Sequence, residues 1–169
     1  IRDKGMCGLD TETTSIEATR GHLVGISLAW NPNEGVYVPL AHLKPASQDT
    51  EGALPGLLPD SGLPEGLLDL RGDPEGYFAE IGPSLDPRNL PFAEVRRVLG
   101  PLLADPAVAK VGQNLKYDLI VLARHGLPVE GVADDSMVQS FLAEPGLRHN
   151  LDDLSVRHLD VRPIACEEV

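Results

Sequence analysis

Apolar residues fall along this chain in short runs whose period changes partway. Met6 to Leu9 is an apolar run and predicts a central strand. His22 to Trp30 (HLVGISLAW) is rich in β-formers, alternates in part, and predicts a second strand. Asn31-Pro32-Asn33-Glu34-Gly35 is a turn signal. Val36 to Leu40 follows as a third strand, with Pro39 near its end where it disturbs pairing least. These three predict an antiparallel meander. From Phe92 the spacing lengthens: Phe92, Val95, Val98, Leu99 and Leu102 share one side of a helix over Phe92–Leu103, which Gly100-Pro101 is expected to kink or restart. Ala107–Val111 predicts a strand and Gln113–His125 a helix ended by Gly126. Val129–Ala133 predicts another strand. Asp135 or Ser136 is expected to cap a helix reaching Ala143, and His149 or Asn150 opens a last helix ending near Leu159.

Between these halves, Lys44 to Pro91 is dense in Pro and Gly, with Leu pairs in LPGLLP and LPEGLLDL but no sustained helical period. It reads as a surface insertion partly ordered by its leucines, or else as a flexible linker. The element order β-β-β, insertion, α-β-α-β-α-α predicts an α/β fold with an antiparallel edge on a partly parallel sheet. The 169 residues fit one domain, 1–169, with room for a real core. No apolar run approaches a membrane span, and the start lacks a signal-peptide core. Two distant cysteines, Cys7 and Cys166, fit no metal-ligand spacing and suit a reducing cytoplasm.

The chemistry begins at Leu9-Asp10-Thr11-Glu12-Thr13. In a strand, residues i and i+2 share a face, so Asp10 and Glu12 project together. Two adjacent carboxylates repel unless a cation sits between them, and oxygen-only ligands suit Mg²⁺ or Mn²⁺. A solvated strand end is the plainer reading of the same residues. The net charge of −12 opposes broad duplex binding, although a bound cation reverses the local sign.

A second polar cluster lies at a strand-helix junction, Val111-Gly112-Gln113-Asn114-Leu115-Lys116-Tyr117-Asp118. Asn114 and Asp118 are four apart and are expected on one helical face, opposite Leu115, Leu119 and Leu122. Lys116 and Tyr117 flank that face, where a cation and an amphipathic ring suit a phosphate or sugar. An ordinary junction with a polar face is the alternative.

D-T-E-T followed by V-G-Q-N-L-K-Y-D resembles the 3′→5′ proofreading exonuclease domain of bacterial DNA polymerase I. The similarity continues through Asp135-Ser136-Met137 and Arg148-His149-Asn150-Leu151-Asp152-Asp153-Leu154. It implies a ribonuclease H-like fold with a mixed five-stranded sheet. It also implies Asp10, Glu12 and Asp118 as catalytic residues and ligands of two Mg²⁺ or Mn²⁺ ions, with Glu12 orienting the attacking water. Substrate contacts are implied for Thr11, Thr13, Gln113, Asn114, Lys116 and Tyr117, an apolar wedge for Ile16, and a basic contact for Arg148. The implied substrate is a single-stranded or frayed 3′ DNA end, and the implied partner is a polymerase domain in the same parent chain, in a bacterial cytoplasm.

The resemblance departs at its third motif, a tyrosine and an aspartate four residues apart. No Y-x-x-x-D follows Asp118, and no tyrosine follows Tyr117. The chain is therefore expected to stop before that motif and to have little activity alone. Asp152, Asp153 and Asp160 are read as helix-capping or solvated residues, and the five histidines as structural or exposed. A non-catalytic scaffold and a ribonuclease D-like exoribonuclease are the competing readings.

Overall fold

A computed structural model describes residues 1–44 and 74–163. Five strands form one sheet: β1 (Met6–Thr13), β2 (Leu23–Asn31), β3 (Glu34–Pro39), β4 (Ala109–Gly112) and β5 (Val132–Asp135), in the order β3-β2-β1-β4-β5. The β3-β2-β1 meander is antiparallel, and β4 and β5 run parallel to β1. This is the mixed sheet that the element order implies.

Alternation along β1 sorts its side chains into two faces. Cys7, Leu9 and Thr11 are buried, while Asp10 and Glu12 are exposed. Register extends both faces across the meander. Leu9 lies opposite Leu28 and Thr11 opposite Ile26 on the buried face. Asp10 lies opposite Ser27, which lies opposite Tyr37, on the other. The buried face is covered by α2 (Phe92–Leu103) and α3 (Leu115–Arg124), which contribute Val95, Leu103, Leu115, Val121 and Leu122 to one core. Each such aliphatic contributes about 2 kcal/mol by leaving water. At Gly112 an added Cβ would stand 2.7 Å from the Leu9 carbonyl oxygen, so only glycine lets the end of β4 approach β1 this closely.

Helix α2 runs through Pro101 without a break in its assignment. Pro101 has no amide to give the Arg97 carbonyl, and the helix ends two residues later at Leu103. Helices α4 (Ser136–Ala143) and α5 (Leu151–Leu159) follow β5. Asp135 caps α4, accepting from the Met137 and Val138 amides, and Asn150 caps α5 by accepting from the Asp153 amide.

The segment read as an insertion holds a helix that its Pro/Gly composition hides, α1 (Pro74–Ile81). Its anchors are aromatic. Tyr77 is buried and stacks on His22 with ring centroids 4.0 Å apart. Phe78 stacks on Phe92 at 4.7 Å. The leucine-pair stretches LPGLLP and LPEGLLDL, like Cys166, lie outside the described residues. No helix among the described residues is long and apolar enough to cross a membrane.

Candidate active site

The open face of the sheet carries a groove of about 890 Å³, bordered by Asp10, Ser27, Tyr37, Gln113, Ser136 and Leu151 among others. Asp10 and Glu12 both project on this side of β1, as their spacing predicts. The protein around Asp10 withdraws enough water to raise its carboxyl above the usual range. Glu12 is raised by the same desolvation and then by the neighbouring Asp10 charge.

Asp118 is placed differently from expectation. Helix α3 begins at Leu115, and Asn114 stands before it as a left-handed residue with φ 58°. Asn114 and Asp118 therefore do not share a helical face. Asp118 instead lies three residues after Leu115 and four before Leu122, on the buried side, and is 2% exposed. Burial is the main cause that pushes its carboxyl up to about 6. A hydrogen bond from Thr11 opposes the shift, and the Asp10 charge adds to it.

Thr11 Oγ1 donates to Asp118 Oδ1 at 2.6 Å, fastening β1 to α3. Thr13 Oγ1 and the Tyr117 hydroxyl are also bonded, and Tyr117 donates to the Ser15 carbonyl. Thr11, Thr13 and Tyr117, for which the sequence suggests substrate contacts, are thus tied to one another's elements. Their hydroxyls are engaged in joining α3 to β1 and the loop after it. Gln113 is similarly engaged. Its amide donates to the His149 carbonyl at 2.6 Å and accepts from the Ser136 hydroxyl. Lys116 is exposed at the opening of α3. Ile16 is 96% exposed in the loop after β1. Arg148 is exposed in the segment before α5, where its carbonyl accepts from Arg157.

Asp135 has a larger part than helix capping. Besides the α4 amides, its carboxylate accepts from the backbone amides of Asn114 at 3.0 Å and Leu115 at 2.8 Å. One carboxylate thus sets the starts of both α3 and α4, and through α3 the position of Asp118. The capping role is legible from Asp135-Ser136; the reach to α3 depends on β5 lying beside β4. Tyr37 and His42 also lie outside the sequence-derived set. Burial, and then the charge of Glu12, pushes the Tyr37 phenol up to about 12, so it is a neutral donor at ordinary pH.

The donor chemistry fits a hard divalent cation, because carboxylate oxygens that disfavour each other's charge are relieved by one. Asp10 and Glu12 are the residues that would hold it, with Asp118 reached by the Asp10 field. Among the described residues, no three His, Cys, Asp or Glu side chains converge as a ready ligand group.

A family described as 3′-5′ exonuclease matches residues 84–168, half of the chain, a stretch that includes Asp118. DNA polymerase I of Pseudomonas aeruginosa is 33% identical over 172 aligned residues that cover 100% of this chain. The chain spans 15% of that relative's length. Among solved structures, Brucella melitensis NrnC with bound Mg²⁺ has a TM-score of 0.56 at 15% identity, covering 95% of this chain and 56% of that one. Pol1 of M. smegmatis, in complex with DNA primer-template and dNTP, has a TM-score of 0.56 at 20% identity, covering 97% of this chain and 20% of that one. These likenesses bear on the fold alone, which is the ribonuclease H-like one that the sequence implies. By its sequence matches, the chain belongs to the 3′-5′ exonuclease family found in DNA polymerase I.

Proposed function

We propose that this chain is the 3′→5′ exonuclease part of a longer DNA polymerase, removing nucleotides one at a time from a frayed 3′ end. The observation that carries this reading is the Asp10–Glu12 pair, projecting together from the open face of the sheet, with Asp10 lining the groove and Asp118 bonded to Thr11 between them.

In this reading the terminal nucleotides lie in the groove with their bases parted. Ile16 intrudes between the last bases, and Asn114, Lys116 and Arg148 meet the sugar-phosphate of the end. Glu12 accepts a hydrogen bond from the attacking water and aims its lone pair at the scissile phosphorus. Water adds to phosphorus, the bond to the 3′ oxygen breaks, and that oxygen leaves with a proton, giving a 5′-mononucleotide. Bound Mg²⁺ or Mn²⁺ at the carboxylates would make the water more acidic and neutralise charge on the phosphate and leaving oxygen. Asp10 and Glu12 hold that cation, and Asp118 supports it from α3.

The lack of three converging acidic ligands among the described residues favours a second reading, an exonuclease fold used as a scaffold. One experiment separates the two. Nucleotide release from a 3′-labelled single strand is followed in Mg²⁺ and in Mn²⁺, for this chain and for one extended into its parent, with Asp10→Ala controls. Asp10-dependent release by the extended chain supports the nuclease. No release from either chain, with both folded, supports the scaffold. Matched RNA and DNA strands in the same assay distinguish a deoxyribonuclease from a ribonuclease D-like enzyme.

A further inference from the structure

Tyr37 stands in β3 opposite Ser27, in the cross-strand row of Asp10. Its ring does not stay in that row. A Cβ built on Gly25 would lie 2.0 Å from the Tyr37 Oη, so the phenol occupies the space that a side chain at position 25 would fill. Gly25 is the residue directly opposite Glu12. Side chains directly opposed across antiparallel strands begin only about 4.5–5.5 Å apart. The phenol oxygen therefore stands in the place of Glu12's cross-strand neighbour.

His42 fixes it there. The Tyr37 Oη and His42 Nε2 are 2.5 Å apart, and the two rings meet edge to face. His42 is itself clamped. Its amide donates to Asn89 Oδ1 at 3.0 Å, and its carbonyl accepts from Asn89 Nδ2 at 2.7 Å and the Asp86 amide at 2.9 Å. A phenol has one donor and spare acceptor capacity. When His42 Nε2–H donates to the phenol oxygen, the phenol O–H is free to donate to a carboxylate.

We propose that Tyr37 is a positioning residue of the nuclease site, its phenol set over Gly25 by His42 to hold the Glu12 carboxylate in the orientation that directs water. This rests on the nuclease reading above. Gly25 is required because it leaves room for the phenol, and the Asp86–Asn89 segment acts on the site through His42.

The test uses the full-length parent chain and a 3′-labelled oligothymidine in saturating Mg²⁺, with kcat, KM and Tm measured separately. Tyr37→Phe removes the phenol O–H. Gly25→Ala displaces the ring end by its new methyl group. Each is expected to lower kcat about tenfold, the scale of one hydrogen bond to a charged group, with KM and Tm little changed. The double variant is expected to be no slower than Tyr37→Phe, because both changes break one interaction. An unchanged kcat in Tyr37→Phe, a raised KM with kcat intact, losses that multiply in the double variant, or losses that follow Tm would each overturn the inference. Asp10→Ala separates the levels. If it abolishes release while Tyr37→Phe leaves kcat unchanged, the role of Tyr37 falls and the nuclease stands. If Asp10→Ala releases nucleotides normally, both fall.

Discussion

The Thr11 hydroxyl and the Asp118 carboxylate are bonded at 2.6 Å between β1 and α3, each with almost no contact with solvent. A buried carboxylate that loses such a partner bears its desolvation uncompensated. Thr11→Val keeps the shape and removes the donor. It is expected to destabilise the fold by about 1–3 kcal/mol at neutral pH, measured by urea unfolding. Thr11→Ser keeps the hydroxyl and is expected to lose much less. A Thr11→Val variant as stable as the parent would show that the bond carries no net energy.

Asp135 gives a second test, because its carboxylate accepts from amides at the starts of two helices. Losing a single cap typically costs around 1 kcal/mol, and here two helix starts lose theirs together. Asp135→Ala is expected to cost about 2–4 kcal/mol in urea unfolding. Hydrogen exchange should quicken at both Leu115 and Met137. Loss of protection at α4 alone would mean that the reach to α3 is energetically empty.

The sheet was largely legible because period-2 alternation does not depend on distant contacts. Once β1 is a strand, Asp10 and Glu12 must share a face, and the structure places them so. Helix α3 shows where such reading fails. Its start is set by Asp135, twenty residues away, and by a left-handed Asn114. Starting the helix two residues early made Asn114 and Asp118 face-mates and put Asp118 opposite the leucines it accompanies. Helix α1 was invisible for another reason. Eight residues beginning Pro-Glu-Gly have little intrinsic helicity, and their order depends on Tyr77 finding His22 and Phe78 finding Phe92. The carboxylate pair was legible, whereas the Thr11, Thr13 and Tyr117 contacts needed the third dimension.

Charge repulsion at the acidic pair sets stability against function. Without a cation, Asp10 raises both Glu12 and Asp118 toward their neutral forms. Asp10→Asn removes that repulsion and is expected to stabilise the cation-free chain by about 0.5 kcal/mol, a small figure because the pair is open to solvent. The parent is expected to gain Tm when Mg²⁺ or Mn²⁺ is added beyond what matched ionic strength gives, since a ligand that prefers the folded state stabilises it. Asp10→Asn should lose that gain. An equal gain in the variant would place the cation elsewhere.

His22 supplies a pH dependence whose sign follows from its setting. It is buried against Tyr77, and its Nδ1 has no hydrogen-bond partner. Burial, followed by the nearby His125 and Arg124, lowers its pKa from 6.5 to about 4. The unfolded chain then takes up a proton before the folded chain does. Stability from the neutral ring is complete above about pH 6.5 and is lost as pH falls toward 4. His125 is lowered in the same direction by burial. Asp118 acts oppositely: its folded carboxyl titrates near 6, so acid relieves a cost there. The His22 contribution is isolated by comparing the parent with His22→Gln. The stability difference between them should shrink steadily from pH 6.5 to pH 4, while the His22 ring protons in NMR should titrate near pH 4. Ring protons that titrate near 6.5 would mean that water reaches His22 and that Tyr77 does not seal it.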